Sequence, residues 1–244
     1  MKILIVIPIR NVLHSLEIIF KELDWSLLDN INQVLFIDNL STDGSAEFIE
    51  KIKKSSIKNS NKIKLIKNTK NIGYGGSVKK GIKYSLENNY SHLIIQHGDN
   101  QTSTNNVIKV FMNSIQNNPD ELVLTTRFKN SNIKDYNLIR KLGNFYFNFI
   151  TKILTGYKLT DPGSAISCIP TKFLFNINLN DLDNHYHFHP QLNLKYFENK
   201  IPIVEKGIKW SDSESESELN LYKYAIKLQI FLIIYYFKKL LRSN

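Results

Sequence analysis

The residues best suited to chemistry lie at 93–101, where the sequence reads LIIQHGDNQ. Residues 93–96 are a mostly apolar run, typical of a short buried strand, and the chain breaks at Gly98. Asp99 and Gln101 follow, so a carboxylate and an amide oxygen lie two residues apart where a strand ends. Such oxygens suit a hard divalent cation, Mg²⁺ or Mn²⁺, that also binds a diphosphate. Asp99 and Gln101 are therefore the predicted metal ligands, with a solvated turn as the alternative.

The segments before this one predict the sheet that would position these side chains. Short, β-branched apolar runs ending in turn residues indicate buried strands. In the first half of the chain they cover residues 2–8, 33–37, 63–67 and 93–96. Helical patterns separate these strands, which predicts a parallel sheet with right-handed crossovers and a ligand crevice at the strands' carboxyl ends. Four polar or turn positions fall at that edge, namely Pro8, Asp38, Asn71 and Asp99.

The second half of the chain continues the same pattern less regularly. Helices are predicted over 107–117, 137–154 and 191–198, and strands over 121–126 and 201–204. Because no repeat or Pro/Gly-rich linker interrupts it, the fold class is a single α/β domain with a mostly parallel central sheet flanked by helices. We expect this domain to span residues 1–220, in two halves at about 1–101 and about 102–220. A basic amphipathic helix is predicted over 221–244.

The charge of the chain favours an anionic partner. Its 32 Lys and Arg residues against 22 Asp and Glu residues give a formal charge of +10, which fits a nucleotide, a nucleic acid or an anionic membrane face. The single Cys168 excludes an intramolecular disulfide, and the N-terminus has no signal-peptide pattern, so a cytoplasmic location is expected. The last helix suits the surface of an anionic leaflet, a dimer contact or packing on the domain.

Two further features point to a nucleotide. Asp38 follows the second predicted strand, where an acidic residue can accept hydrogen bonds from a base or ribose, although it could equally cap a helix. Residues 71–76, NIGYGG, form a glycine-rich turn whose backbone could approach a ligand closely. This turn lacks the Gly-Lys-Ser/Thr of a Walker A loop and does not follow the first strand, so a dinucleotide-binding dehydrogenase is disfavoured.

Seven segments in register resemble the family 2 glycosyltransferases with a GT-A fold, and most closely the branch of dolichyl-phosphate and polyprenyl-phosphate sugar synthases. The matching segments are IPIRN at 7–11, IDNLSTDGS at 37–45, NIGYGGSVKKGI at 71–82, HGDNQ at 97–101, TTRF at 125–128, RKLGNFYFN at 140–148 and TDPGSAIS at 160–167. Their order and spacing agree over roughly the first 170 residues, and the remainder matches loosely.

The resemblance makes the half at about 1–101 the nucleotide-binding half and the half at about 102–220 the acceptor half, and it implies a role for individual residues. Asp99 would be the last acidic residue of the family's Asp-x-Asp motif, and Gln101 would complete the metal site. Arg127 and Arg140 would lie near the diphosphate or the acceptor phosphate, and Asp161 close to the reacting sugar as the best candidate base for a hydroxyl acceptor. The predicted nucleotide-sugar site consists of Pro8, Arg10, Asn11, Asp38, Asn71, Gly73, Gly75, His97 and Asp99.

Three positions depart from the family pattern, and each loses a carboxylate. His97 replaces the first acidic residue of the Asp-x-Asp motif, Val12 replaces a usual Glu, and Asn39 replaces a second acidic residue after the second strand. The alternating His185, His187 and His189 would share one face of a strand and could bind zinc, but no Cys or acidic partner accompanies them. Contacts to the acceptor are favoured, because by the resemblance this segment corresponds to the family's variable acceptor region.

Together these features predict a metal-dependent, inverting glycosyltransferase. It would move a hexose from a UDP- or GDP-sugar to polyprenyl phosphate or a cell-surface glycan, at the cytoplasmic face of the membrane. A non-catalytic nucleotide-sugar- or lipid-binding relative is the alternative left open by the three departures. A nucleotidyltransferase is a weaker alternative, since the basic glycine-rich loop it needs after the first strand is absent from IPIRNV. Nucleic-acid binding is not expected, because no known module motif is present.

Overall fold

The computed structural model describes residues 1–129, 138–156, 158–161, 163–210 and 221–242. Within these residues the strands are β1 (Ile3–Ile9), β2 (Gln33–Asp38), β3 (Ile63–Lys67), β4 (His92–Ile95), β5 (Leu122–Thr126), β6 (Ser167–Pro170) and β7 (Ile203–Gly207). The α-helices are α1 (Leu13–Glu22), α2 (Ser45–Lys53), α3 (Tyr74–Glu87), α4 (Thr104–Asn117), α5 (Leu138–Thr155), α6 (Phe188–Glu198) and α7 (Leu221–Arg242).

The strands form one sheet in the order β3-β2-β1-β4-β6-β5-β7. Parallel pairs join β3 to β2, β2 to β1, β1 to β4 and β5 to β7, whereas β6 runs antiparallel to both β4 and β5. The fold class is therefore confirmed as α/β with a mostly parallel sheet. Because only β6 is reversed, the carboxyl ends of the other strands and the amino end of β6 meet at one edge of the sheet. We call this the carboxyl edge.

The sheet is buried on both faces, as its continuous apolar strands predict. Along β1, Ile3, Ile5 and Ile7 pack into one apolar cluster, and Leu4 and Val6 into the cluster on the opposite face. Each of these side chains is at most 2% exposed, and full burial of such a side chain contributes roughly 1.5–3 kcal/mol. The two clusters hold the strands in a fixed register, so the loops at the carboxyl edge start from rigid positions.

Two elements differ from the sequence prediction. The first helix ends at Glu22 rather than about residue 28, because the Asp24 side chain accepts a hydrogen bond from the Ser26 backbone N–H at 3.0 Å and begins a 3₁₀ turn over Trp25–Asn30. Strand β6 was not predicted. It has only four residues, SCIP, and is defined by pairing with β4 and β5 rather than by a pattern of its own.

The two long helices α5 and α7 lie against each other, and Gln229 Nε2 donates a hydrogen bond to the Tyr146 hydroxyl at 3.0 Å. Leu228 and Leu232 are 1% and 2% exposed, so one face of α7 packs on the rest of the protein. A domain boundary at residue 220 stays a prediction. None of the helices in the described ranges is both long and apolar enough to cross a membrane.

Candidate active site

The loops that follow β1 and β2 are tied to each other at the carboxyl edge. The Asn11 backbone N–H donates to Ser41 Oγ at 3.0 Å, and Asn11 Oδ1 accepts from the Thr42 backbone N–H at 2.8 Å. Asp38 is 3% exposed and accepts from the Ser41 backbone N–H. Asn11 (φ 49°) and Leu40 (φ 66°) have left-handed backbone conformations, which are rare outside glycine and recur at functional sites. Pro8 and Asp38 lie at the carboxyl ends of β1 and β2, and Arg10 and Asn11 lie in the loop after β1, so all four are at the edge where the sequence predicts them.

Asn39, one of the three departures, has a structural role in the next loop. Its Oδ1 accepts from Asn68 Nδ2 at 3.2 Å and from the Ile72 backbone N–H at 3.0 Å. Its Nδ2 donates to Asn71 Oδ1 at 2.7 Å, and the same Asn71 oxygen accepts from the Gly73 backbone N–H. A carboxylate at position 39 could not donate to Asn71, so Asn39 matches the amide-rich turn that it supports.

Another segment of the chain packs against the glycine-rich turn on the side where Cβ atoms of Gly73 and Gly75 would lie. A Cβ on Gly73 would lie 2.2 Å from the Asn184 carbonyl oxygen, and one on Gly75 would lie 2.7 Å from the Asp183 carbonyl oxygen. Gly73 also has φ +77°. From the sequence, these glycines are explained by close approach to a ligand. In the structure the missing side chains leave room for the segment 183–185. A contact of Gly73 or Gly75 with a nucleotide sugar stays a prediction.

The predicted metal ligands follow β4, in the middle of the carboxyl edge. Asp99 is 28% exposed on its side chain, and its Oδ1 accepts from the Gln101 backbone N–H at 3.2 Å. Between them Asn100 has φ 56°, so the turn is held in a left-handed conformation. His97 Nδ1 lies 3.9 Å from Asp99 Oδ2, which is beyond hydrogen-bonding distance. The loop therefore presents one carboxylate and one imidazole toward the same space.

The donor chemistry of this loop fits a divalent cation. Two of the three buried polar side-chain atoms that lack a hydrogen-bond partner in the described residues flank it, Gln96 Oε1 and Thr102 Oγ1. Buried polar atoms are nearly always paired, so unpaired ones mark places for water or a ligand. No cluster of three or more His, Cys, Asp or Glu side chains in the described part of the chain could hold a metal. A cation here would need oxygens from a bound diphosphate to complete its coordination.

Arg127 and Asp161 form the strongest ion pair at the edge. Arg127 Nε and Nη2 donate to the two oxygens of Asp161, each at 2.7 Å, and the Arg127 backbone N–H adds a third bond at 3.2 Å. Asp161 is 2% exposed and Arg127 is 21% exposed on its side chain. The guanidinium thus reaches partly into solvent, and both carboxylate oxygens are bound.

Trp210, which follows β7, joins the metal loop to this ion pair. Its ring lies 5.3 Å from the Arg127 guanidinium carbon and makes an edge contact with the His97 ring at 6.4 Å between centroids. The loops after β4, β5 and β7 and the segment before β6 therefore meet around one tryptophan. The structure brings the His97–Asp99 loop and the Arg127–Asp161 pair together beside Trp210 at the carboxyl edge, and we call this region the cleft.

The family of the chain follows from its match to a family model. The model described as "Glycosyl transferase family 2" matches residues 4–176, which span β1 to β6 and include Asp99, Arg127 and Asp161. The chain belongs to glycosyl transferase family 2. This match confirms the resemblance identified from the seven segments, while the polyprenyl-phosphate branch stays a prediction. No curated protein matches the chain.

Solved structures confirm that this glycosyltransferase has the GT-A architecture. They include glucosyl-3-phosphoglycerate synthase from Mycobacterium tuberculosis with Mn²⁺, UDP and phosphoglyceric acid (TM-score 0.71, 10% identity, 96% of this chain and 78% of that chain). The same synthase with Mn²⁺, UDP-glucose and phosphoglyceric acid gives a TM-score of 0.69 at 12% identity, covering 96% and 79%. Its complex with Mg²⁺ and UDP gives 0.66 at 11% identity, again covering 96% and 79%. At this identity the likeness shows the fold.

Glu205 is a buried residue of the glycosyltransferase that the sequence analysis missed. This β7 carboxylate is 7% exposed on its side chain and accepts from the Thr160 backbone N–H at 2.8 Å and from the Asp161 backbone N–H at 3.2 Å. Lys129 Nζ lies 3.6 Å from it. Glu205 therefore fixes the backbone that carries Asp161. Its only sequence signal is a charged residue after the predicted strand 201–204, and that signal does not reveal a partner 44 residues away.

The alternating histidines do not lie in a strand, so they share no face and the geometry proposed for zinc is wrong. His187 precedes α6, and His189 lies within it. His189 Nε2 is 2.9 Å from the Tyr74 hydroxyl, and burial lowers the pKa of His189 to about 3. Tyr74 in turn stacks on His97 with 5.4 Å between ring centroids. Burial lowers the pKa of His97, with the Arg127 charge acting in the same direction and Asp99 opposing it.

Helix α7 also reaches this cleft. The Tyr224 ring stacks on His187 at 4.7 Å, and burial raises the pKa of Tyr224 to about 12, with Asp161 adding to the effect and Arg127 opposing it. Sequence analysis did not place α7 near the chemistry. The side chain of Arg140, in α5, lies outside the described part of the chain, so its role stays a prediction.

Proposed function

We propose that this glycosyltransferase moves a hexose from a nucleotide diphosphate sugar to polyprenyl phosphate, with inversion, at the cytoplasmic face of a membrane. The observation that carries the proposal is that Trp210 contacts both His97, in the loop that carries Asp99 and Gln101, and Arg127, which pairs with Asp161. A diphosphate held at Asp99 and an anionic acceptor held at Arg127 would then have the sugar between them. UDP and GDP are the candidate nucleotides of the donor.

Each side of the cleft supports one part of the reaction. Asp99 and Gln101 would hold a divalent cation, which when bound would supply Lewis-acid stabilisation of a leaving nucleoside diphosphate. The loops after β1 and β2 would hold the nucleotide, with Asp38 accepting hydrogen bonds from the base. Arg127 adds a fixed positive charge for the anionic acceptor, and a guanidinium can bind two phosphate oxygens at once. Trp210 shields the cleft from one side.

The state of Asp161 favours a phosphate acceptor over a hydroxyl. A hydroxyl acceptor needs a general base, whereas a phosphate is already an anion and can attack without losing a proton. Asp161 is the candidate base by resemblance, but Arg127 binds both of its oxygens and the side chain is 2% exposed. We therefore infer that Asp161 positions Arg127, and that the acceptor brings its own negative charge.

The apolar faces of α5 and α7 favour an acceptor in a membrane. On α7 the exposed side chains include Ile226, Ile230, Ile233, Ile234, Phe237 and Leu241, and on α5 they include Phe145, Phe149 and Ile153. These side chains form an apolar surface that is larger than isolated exposed residues would give. Lys152 and Lys227, on the same two helices, are also exposed. With a formal charge of +10 on the chain, the fitting occupant is an anionic leaflet. The cleft would then open beside the lipid headgroups.

Nucleotide binding is the first test of this proposal. We expect one nucleotide among UDP, GDP, CDP and dTDP, or one of their sugars, to raise the melting temperature only when Mn²⁺ or Mg²⁺ is present. The reason is that a ligand bound to the folded state alone stabilises it by about 2.7 kcal/mol at a hundred times its Kd. Differential scanning fluorimetry measures the shift. No shift with any nucleotide would favour the non-catalytic, lipid-binding alternative instead.

Membrane association can be tested without disturbing the core. Replacing Ile230 and Ile234 by Glu should reduce co-sedimentation with phosphatidylglycerol-containing vesicles at least about tenfold, because each exposed isoleucine loses an apolar contact of roughly 1.5–3 kcal/mol. These side chains are 53% and 48% exposed, so folding should be unaffected. Ile57→Glu, at a residue 41% exposed between α2 and β3, is the matched control. Equal binding by the double variant and the control would reject the α7 surface.

A further inference from the structure

His97 is placed like a ligand of the cation rather than like a residue of the core. Its Nδ1 lies 3.9 Å from Asp99 Oδ2, and its side chain is 26% exposed. Metal–nitrogen and metal–oxygen bonds are each about 2.0–2.2 Å for zinc, so their sum exceeds 3.9 Å and one ion can reach both atoms. The same separation is too long for a hydrogen bond between the two side chains.

We propose that His97 is a nitrogen ligand of the divalent cation, together with Asp99, and that the site therefore selects Mn²⁺ or Co²⁺ over Mg²⁺. This inference rests on the proposed function, because the cation is the one that accompanies the nucleotide diphosphate. It assigns a chemical role to the residue at which this chain departs from the Asp-x-Asp pattern.

The selectivity follows from the chemistry of the donor atoms. Imidazole nitrogen binds first-row transition ions well, whereas Mg²⁺ prefers carboxylate, carbonyl and water oxygens in near-ideal octahedral geometry. With a carboxylate at position 97 the protein would offer oxygen donors only. With His97 one donor becomes nitrogen and the protein ligands carry one negative charge fewer. Of the three ions, Mg²⁺ loses the most affinity when the carboxylate at position 97 is replaced by an imidazole.

The surroundings of His97 hold its ring in place. Tyr74 stacks on it with an interplanar angle of 15°, and the edge contact with Trp210 is at 81°. Tyr74 is itself fixed by its hydroxyl contact with the buried His189 at 2.9 Å. The contacts with Tyr74 and Trp210 limit rotation of the His97 ring. A ligand held in one orientation loses less entropy when the ion binds.

The test compares wild type with His97→Asp, which restores the carboxylate. Affinities for Mn²⁺, Co²⁺ and Mg²⁺ are measured by titration calorimetry in the presence of UDP, and again with GDP. We expect the ratio of Mn²⁺ or Co²⁺ affinity to Mg²⁺ affinity to fall at least about tenfold in His97→Asp. His14→Asp makes the same chemical change at an exposed residue of α1 and should leave the ratio as in wild type.

A spectroscopic signature tests the bond itself. Pulsed electron paramagnetic resonance of the Mn²⁺–nucleotide complex should show ¹⁴N coupling from imidazole in wild type and in His14→Asp, and none in His97→Asp. His97→Gln, which lacks an imidazole, should also lose the coupling and serves as a second variant if His97→Asp is unstable to heat.

The outcomes separate this inference from the function on which it rests. If Mn²⁺ and a nucleotide bind to wild type without nitrogen coupling, and Asp99→Asn abolishes that binding, the inference fails while the metal-dependent function stands. An unchanged affinity ratio in His97→Asp also overturns it. If neither wild type nor His97→Asp binds any cation with UDP or GDP, both the inference and the proposed function fail.

Discussion

Replacing Asp99 by Asn should lower the turnover of a nucleotide sugar by more than about 100-fold, with little change in folding. Asp99 is the one carboxylate of the loop after β4, so its loss removes the charged ligand of the cation that stabilises the leaving diphosphate. Its side chain accepts a local hydrogen bond from the Gln101 backbone N–H, which is worth about 1 kcal/mol. Stability should therefore stay within roughly that amount.

The measurement pairs initial rates at saturating Mn²⁺ with thermal unfolding. Asp120→Asn is the matched control, because it removes a carboxylate that is 74% exposed before β5, at the opposite end of that strand from Arg127. The control should keep wild-type rates. Near-normal turnover in Asp99→Asn, with the same dependence on cation concentration, would refute the metal assignment.

Arg127→Lys should reduce turnover by about 100-fold or more, while Arg127→Ala should also unfold more easily. Lysine keeps the positive charge but cannot bind Asp161 through two parallel N–H groups, so the charge would no longer be held in place. Alanine leaves the Asp161 carboxylate, 2% exposed, without its partner, and an unpaired buried charge costs about 3–5 kcal/mol. Lysine is therefore the variant that reports on chemistry.

A double-mutant cycle decides what Asp161 does. If Asp161 positions Arg127, Asp161→Asn should lower turnover in wild type but have little further effect in Arg127→Lys. If Asp161 is a general base, its replacement should cost the same in both backgrounds and abolish the fall in rate on the acidic side of the pH–rate profile, where a base becomes protonated. Asp29→Asn is the control, because it breaks an exposed ion pair with Lys58. It should change the free energy of unfolding by less than about 1 kcal/mol. Additive effects on turnover would overturn the positioning role.

Much of the donor side could be predicted because each piece is encoded locally. A strand buried on both faces must be apolar along its length, so β1 and β4 are visible as short apolar runs ending in turn residues. Parallel strands must bring their carboxyl ends to one edge, which placed Asp38 and Asp99 on the same side before any coordinates were known. The glycine-rich turn was also found, but the segment that covers it was not.

The Arg127–Asp161 side of the cleft depended on contacts between distant segments. Asp161 reaches Arg127, 34 residues earlier, because the reversed strand β6 is inserted between β4 and β5 and returns the chain to the carboxyl edge. A four-residue strand defined by its neighbours has no pattern that could announce this.

The sequence by itself determined the α/β fold, the family and the placement of Pro8, Asp38 and Asp99 at the carboxyl edge, because burial, chain direction and motifs are written into local patterns. Only the tertiary structure decided which of those residues touch. It placed Trp210 between His97 and Arg127, Glu205 beneath Asp161, and Tyr224 of α7 against His187. The physical reason is that these contacts arise from packing of elements far apart in the chain. The pattern of each element records only whether a side chain is buried, not what it meets.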